Sequence, residues 1–194
     1  MIRMRHFLLW MTLFLSLSAS AQSAAQLYEQ GKALYDAKKY EAALPKLKSA
    51  AEKGHKKAQY RLGYCYDKGK GVKEDDEKAF YWYAKAAAQN HAKAQYQLGR
   101  CYKKGEGTKV DLAKAVAYFQ KAAKQDNADA MYALGKCYLK GQGVAADEQK
   151  AKSWFQKAVR DKKDGKDILK KIRTDAAEGD EDAVKILSLL GMKK

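Results

Sequence analysis

Apolar residues recur along this chain with helical spacing, and the pattern itself recurs every 36 residues. The stretch AQYRLGYCYDKGKGV (58–72) is followed by AQYQLGRCYKKGEGT (94–108) and AMYALGKCYLKGQGV (130–144). In the first copy Leu62 and Cys65 lie three positions apart, as on one face of a helix. Self-similarity at this period predicts a solenoid whose units are supersecondary structures that cannot bury an apolar face alone.

Each unit is predicted to contain two helices and two tight turns. A G-x-G turn ends the first helix, because glycine permits a positive φ at a helix C-terminus. An aspartate four residues beyond the second glycine is a suitable N-cap for the second helix. Those aspartates are Asp75, Asp111 and Asp147. The second helix is predicted to close near Asn90 or Asp126, residue types that tolerate the left-handed conformation.

The three copies resemble the Sel1-like repeat, a relative of the tetratricopeptide repeat. The string L-G-x-x-Y-x-x-G-x-G-V-x-x-D-x-x-K-A-x-x-W-Y-x-K-A-A is almost complete at 62–87, 98–123 and 134–159. The departures are Thr108 for the valine, Tyr118-Phe119 for Trp-Tyr, and Val159 for the last alanine. The resemblance implies an all-α fold, a right-handed α-solenoid of antiparallel helix pairs. It also implies that the first helices line the concave side, where family members commonly hold partner peptides.

The segments outside the repeats have their own expected roles. The expected division is a signal peptide at 1–21, a tetratricopeptide-like N-terminal hairpin at 22–57, Sel1-like repeats at 58–93, 94–129 and 130–165, and C-terminal capping helices at 166–194. The terminal helices are expected because a repeat array must shield the apolar edges of its outer units.

The N-terminus has the pattern of an export signal. Arg3 and Arg5 precede an uncharged apolar run, which is followed by the small residues Ala19-Ser20-Ala21. We expect cleavage after Ala21, a periplasmic or secreted protein, and no transmembrane segment in the mature chain. Retention of the run as an N-terminal anchor is the alternative.

The charge balance is strongly basic and favours anionic partners. The chain has a net charge of +16, and loss of Arg3 and Arg5 with the signal leaves about +14. In an exported protein this favours acidic protein segments, with anionic glycans or lipids as further candidates, and not nucleic acid. Solubility alone is an equally simple explanation of the charge.

The three cysteines are predicted to be buried, free and structural. Equivalent positions in adjacent repeats should lie roughly 9 Å apart or more, beyond the reach of a disulfide. His55 and His91 occupy equivalent loop positions and are expected to be solvated turn residues, so no metal site is predicted. No cofactor is expected.

A variable basic face on the first helices is the predicted binding site. Its positions are spaced four, three and four residues apart, so they share one face opposite the Leu-Cys seam. The candidate binding residues are Lys57, Arg61, Tyr64, Lys68, Lys93, Gln97, Arg100, Lys104, Lys136 and Lys140. Asp129 and Ala133 occupy the remaining equivalent positions of the third repeat. An ordinary solvated surface is the alternative.

No catalytic motif occurs in the sequence, so no catalytic residue is assigned and the chain is predicted not to be an enzyme. The leading hypothesis is a scaffold that holds acidic partner segments. A cell-wall or β-lactam hydrolase is an alternative implied only by resemblance to cysteine-rich family members, whose second cysteine per repeat this chain lacks. Attachment to anionic surfaces through net charge alone is the third hypothesis.

Overall fold

The computed structural model describes residues 22–192, and all regular structure in that range is helical. Residues 1–21, and with them the expected signal peptide, lie outside the described residues. The ten helices are α1 (Ala24–Asp36), α2 (Tyr40–Glu52), α3 (Lys56–Asp67), α4 (Asp76–Ala88), α5 (Ala92–Lys104), α6 (Leu112–Ala123), α7 (Ala128–Lys140), α8 (Glu148–Arg160), α9 (Gly165–Ala177) and α10 (Glu181–Leu189). Between residues 22 and 192 we find no helix with the length and apolar character that crossing a bilayer requires.

The helices form a solenoid of stacked hairpins. Each odd-numbered helix from α1 to α7 packs on the helix that follows it, and each hairpin packs on the next. The predicted all-α solenoid is therefore confirmed. We call α3, α5 and α7 the first helices, and α4, α6 and α8 the second helices.

Side-chain caps define where the repeat helices begin. Asp75, Asp111 and Asp147 each accept a hydrogen bond at 2.9 Å from the backbone N–H three residues later, as predicted. These bonds satisfy amide groups that would otherwise lack a partner at a helix N-terminus. Asn90 and Asp126 have φ values of 59° and 56°, so the left-handed turn predicted between units is also confirmed.

The core of each repeat is built from one leucine, one cysteine, small alanines and one aromatic ring. Leu98 is 1% exposed, and the aromatic ring of Phe119 on α6 lies directly over Gly99 of α5. A Cβ atom at Gly99 would lie 2.6 Å from Cε1 of Phe119, so the glycine is what lets the two helices approach. Tyr83 and Phe155 lie over Gly63 and Gly135 in the same way.

The second glycine of each G-x-G turn joins neighbouring units. Gly71 has a φ of 71°, which glycine adopts without strain. A Cβ atom there would also lie 2.6 Å from the carbonyl carbon of Tyr40, at the start of α2 in the preceding hairpin. Close packing between units therefore requires this glycine, in addition to the turn geometry.

Helices α9 and α10 cover the apolar edge of the third repeat. Ile172 and Ile186 are fully buried and belong to one core cluster with Phe155 and Leu134. The two helices therefore pack on the third repeat, and no G-x-G turn connects them.

Candidate functional site

The candidate site is the face formed by the ten residues predicted from sequence, which we call the first-helix face. Five of its lysines are exposed, whereas Arg61, Tyr64, Arg100 and Lys136 are half-buried. The exposed ones are Lys57, Lys68, Lys93, Lys104 and Lys140. The helical spacing thus brings most of the predicted residues to an accessible surface.

Gln97 differs from the prediction, because it is only 9% exposed. Its Oε1 accepts a hydrogen bond from Nη1 of Arg100 at 2.7 Å, which holds the guanidinium against α5. Gln97 therefore positions Arg100 instead of facing solvent. A buried amide oxygen needs such a partner, since an unsatisfied one costs free energy.

In the first repeat two of the three cations of this face have internal partners. The Arg61 guanidinium lies 4.6 Å from the centroid of the Tyr35 ring and 3.9 Å from Oδ1 of Asp36. Nζ of Lys68 lies 3.1 Å from the Asp67 carboxylate. Tyr64, expected to be an exposed aromatic, packs against the core cluster that α4 and α5 share. Lys57 has no carboxylate within 4 Å among residues 22–192.

The cations of the second repeat lie near two carboxylates, that of Glu106 and that of Asp129 at the start of the third repeat. Nζ of Lys104 lies 3.0 Å from Oε1 of Glu106. Loss of hydration raises the pKa of Asp129, and the charges of Lys93 and Arg100 partly oppose that rise. Asp129 and Arg100 therefore influence each other electrostatically without forming an ion pair.

In the third repeat the face holds a carboxylate from another helix. Asp182 in the first turn of α10 pairs with Lys140, and its Oδ2 lies 3.7 Å from Nζ of Lys136. Hydrogen bonds and charge from the two lysines lower the pKa of Asp182. Two lysines one helical turn apart thus bind one carboxylate between them.

The cysteines are structural, as predicted. Cys65 and Cys137 are 1% exposed and Cys101 is 5% exposed, and all three thiols are free. Burial raises the pKa of Cys65 to about 11 and that of Cys101 to about 12, so neither forms a nucleophilic thiolate near neutral pH. In the described part of the chain no group of three or more His, Cys, Asp and Glu side chains could hold a metal ion.

The histidines are helix caps and not solvated turn residues, which corrects the sequence interpretation. Nδ1 of His55 accepts from the backbone N–H of Ala58 at 3.3 Å, and Nδ1 of His91 does the same with Ala94 at 3.2 Å. Asn127 caps α7 at the equivalent position. The sequence carried a signal for this role, because the third repeat has asparagine where the other two have histidine. Asparagine is a preferred N-cap residue.

The ion-pair partners of the face could not be read from the repeat. Asp36 and Asp182 belong to α1 and α10, which lie outside the three full copies. The repeat alignment therefore gives no equivalent positions from which to predict where these side chains lie. Their position on the face depends on how the flanking helices pack, which only the structure shows.

The comparisons with known proteins agree with this architecture. The family model described as the Sel1 repeat matches residues 56–91, 92–127 and 128–161. A search of curated proteins found no significant match.

Two solved structures are similar over most of the chain. A Sel1 repeat protein from Oxalobacter formigenes is 34% identical with a TM-score of 0.66, over 80% of this chain and 71% of that one. A protective antigen of uropathogenic Escherichia coli strains that displays an SLR fold is 29% identical with a TM-score of 0.71. That match covers 92% of this chain and 44% of the antigen, so this chain spans less than half of the antigen's length. Because the three matched repeats make up more than half of its residues, the chain belongs to the Sel1 repeat family.

Proposed function

We propose that this chain is a non-enzymatic scaffold of the cell envelope that holds acidic segments of partner proteins on the first-helix face. Sel1-like repeat proteins are generally protein-interaction scaffolds. The finer proposal concerns the chemistry of the partner and the surface that takes it.

The observation that carries the proposal is the pair of lysines around Asp182. Lys136 and Lys140 show that two cations one turn apart on a first helix can bind one carboxylate. The same two positions in the second repeat, 36 residues earlier, are occupied by Arg100 and Lys104. We infer that these two residues take a partner carboxylate in the way that Lys136 and Lys140 take Asp182.

The first two repeats form the accessible part of this surface. Lys57 and Lys93 are exposed at equivalent positions near the start of α3 and α5, without a carboxylate within 4 Å in the described chain. Lys104 must exchange Glu106 for a partner carboxylate, which costs little because exposed ion pairs contribute roughly 0 to 1 kcal/mol. The third repeat adds no free cation here, since Asp182 already holds both lysines.

An envelope location follows from the expected export signal at residues 1–21. In that compartment acidic proteins are more abundant partners than nucleic acid. The net positive charge of the chain also raises the rate of association with an acidic partner, because the two attract each other over a long range.

The proposal is tested with the mature chain, 22–194, and a fluorescent oligoglutamate peptide as the probe. We expect salt-sensitive binding that weakens by about tenfold or more in the double variant Arg100→Glu, Lys104→Glu. The matched control is Lys73→Glu, Lys109→Glu, which makes the same charge change at exposed lysines outside the face.

If the control variant loses as much affinity as the Arg100→Glu, Lys104→Glu variant, net charge and not the first-helix face binds the peptide. Absence of binding by the wild-type chain at low salt also overturns the proposal.

A further inference from the structure

A concentration of unpaired positive charge lies outside the first-helix face in the described residues. Between residues 157 and 173 the chain has eight basic and three acidic residues. Six exposed cations from the end of α8, the following loop and α9 form what we call the α8–α9 patch: Arg160, Lys162, Lys163, Lys166, Lys170 and Arg173. None of the six lies within 4 Å of a carboxylate oxygen in the described residues, whereas five of the eight cations on the first-helix face are paired.

Helix α9 presents part of this patch as a stripe. Lys166, Lys170 and Arg173 are spaced four and three residues apart, so they share one face of the helix. Ile168 and Ile172 are buried on another face, against the third repeat. The helix is therefore fixed by its apolar side while its cations point outward together.

One acidic residue beside the patch, Asp161, is engaged by the backbone of the loop itself. Oδ1 of Asp161 accepts hydrogen bonds from the backbone N–H groups of Lys163 and Asp164, at 2.9 and 2.7 Å. That carboxylate therefore shapes the loop between α8 and α9. The turn holds Lys162 and Lys163 at the surface between the two helices.

A groove beside the patch differs from its equivalent one repeat earlier. Between α6 and α8 a depression of about 570 Å³ is lined by Met131 and Trp154 together with charged residues: Lys124, Lys157, Arg160, Lys162, Asp126 and Asp161. The equivalent depression between α4 and α6 is about 340 Å³, and Lys121 is the single cation that lines it. Function in a repeat array is expected where equivalent positions differ, and here the larger depression has four cations and two carboxylates where the smaller one has a single cation.

We propose that the α8–α9 patch docks this chain on the surface of a bilayer that contains anionic phospholipids. Six exposed cations from three consecutive elements can contact several phosphates of a lipid surface at once. Each Lys or Arg near such a surface contributes about 1 kcal/mol. Trp154, half-buried beside Lys157, has the amphipathic ring that favours the headgroup region.

The contact is electrostatic and not an insertion. The large apolar residues most exposed in the structure, Tyr81, Val110 and Val184, lie outside the patch. Binding should therefore decrease steeply with salt. The α8–α9 patch shares no residue with the first-helix face.

The test is co-sedimentation of the mature chain with vesicles. One set contains phosphatidylglycerol and phosphatidylcholine, and the other contains phosphatidylcholine alone. We expect binding only to the anionic set, with a loss of about 100-fold in the triple variant Lys162→Glu, Lys163→Glu, Lys166→Glu. The control is Lys53→Glu, Lys73→Glu, Lys109→Glu, which makes the same charge change at exposed lysines elsewhere and should retain most of the binding.

Equal losses in the two triple variants would show attraction by net charge alone and would overturn the proposal. So would vesicle binding that the patch variant leaves unchanged. The patch variant is also titrated with oligoglutamate: loss of that binding together with unchanged vesicle binding would make the patch a peptide site. Circular dichroism of each variant confirms that the helices are retained.

Discussion

The imidazole of His91 stacks on the ring of Tyr60, with the ring centroids 4.8 Å apart, while its Nδ1 caps helix α5. Burial, assisted by the charges of Lys56 and Lys93, lowers the pKa of His91 to about 4. The neutral ring is therefore part of the folded structure, since a protonated Nδ1 cannot accept the hydrogen bond from the backbone N–H of Ala94.

This arrangement predicts a loss of stability in mild acid. The unfolded chain takes up the proton near the ordinary pKa of about 6.5, before the folded chain does. The contribution of His91 is therefore fully present above about pH 6.5 and is lost as the pH falls towards 4, on the order of 1 to 3 kcal/mol. Urea unfolding at a series of pH values measures it.

The variant His91→Asn is the matched control, because Asn127 already caps the next first helix. We expect this variant to be folded and to lose less stability than the wild type between about pH 6.5 and pH 4.5. Parallel curves for the two proteins would contradict the role given to His91.

The contact between Gly99 and Phe119 predicts that Gly99→Ala destabilises the chain by about 1 to 3 kcal/mol, although alanine is the better helix former. The added methyl group would meet the ring at 2.6 Å, and both helices are fixed by their neighbours. Chemical denaturation gives the free energy of unfolding. Adding Phe119→Leu to Gly99→Ala should cost less than the sum of the two single changes, because the smaller side chain makes room for the methyl group. Strict additivity would show that the contact is not the cause.

The burial of the three thiols predicts that they react slowly with a thiol reagent. Cys65, Cys101 and Cys137 should react with a thiol reagent at least about 100-fold more slowly in the native chain than in the unfolded chain, because they are shielded and protonated. Mass spectrometry counts the labels over time. Three rapid labels in guanidinium provide the control, and one rapid label in native buffer would contradict burial.

The pairing of Asp182 with Lys136 and Lys140 predicts that Asp182→Asn strengthens oligoglutamate binding several-fold. The change frees two cations of the first-helix face for the peptide. Fluorescence titration at low salt measures the affinity.

The control for this effect is Glu148→Gln, which removes the contact of Glu148 with Lys185. That contact also joins α10 to α8. Its loss frees no cation of the first-helix face. If both variants bind the peptide equally well, loosening of α10 and not the release of Lys136 and Lys140 explains the gain.

The sequence predicted the repeated part of the fold because three aligned copies separate packing positions from variable ones. Asp111 as a cap and Cys101 as a buried residue both follow from their register, and both are confirmed. The candidate site was less predictable. Helical spacing placed Lys93 and Lys104 on an exposed face, but it did not indicate that Gln97 is buried and accepts a hydrogen bond from Arg100. Asp182 reaches the face from a helix without a repeat register.

Hydrogen bonds between glutamine side chains link the first helix of a repeat to the loop after its second helix, and they bear on where the array unfolds locally. Nε2 of Gln89 donates to Oε1 of Gln59 at 2.7 Å in the first repeat, and Gln125 donates to Gln95 at the same distance in the second. The third repeat has Met131 where the other two have Gln59 and Gln95, so it lacks this link between its first helix and the loop that follows its second helix.

Because each unit of a solenoid contacts only its neighbours, its stability is set locally. The amide protons of α7 and α8 should therefore exchange with solvent through partial opening before those of α3 to α6.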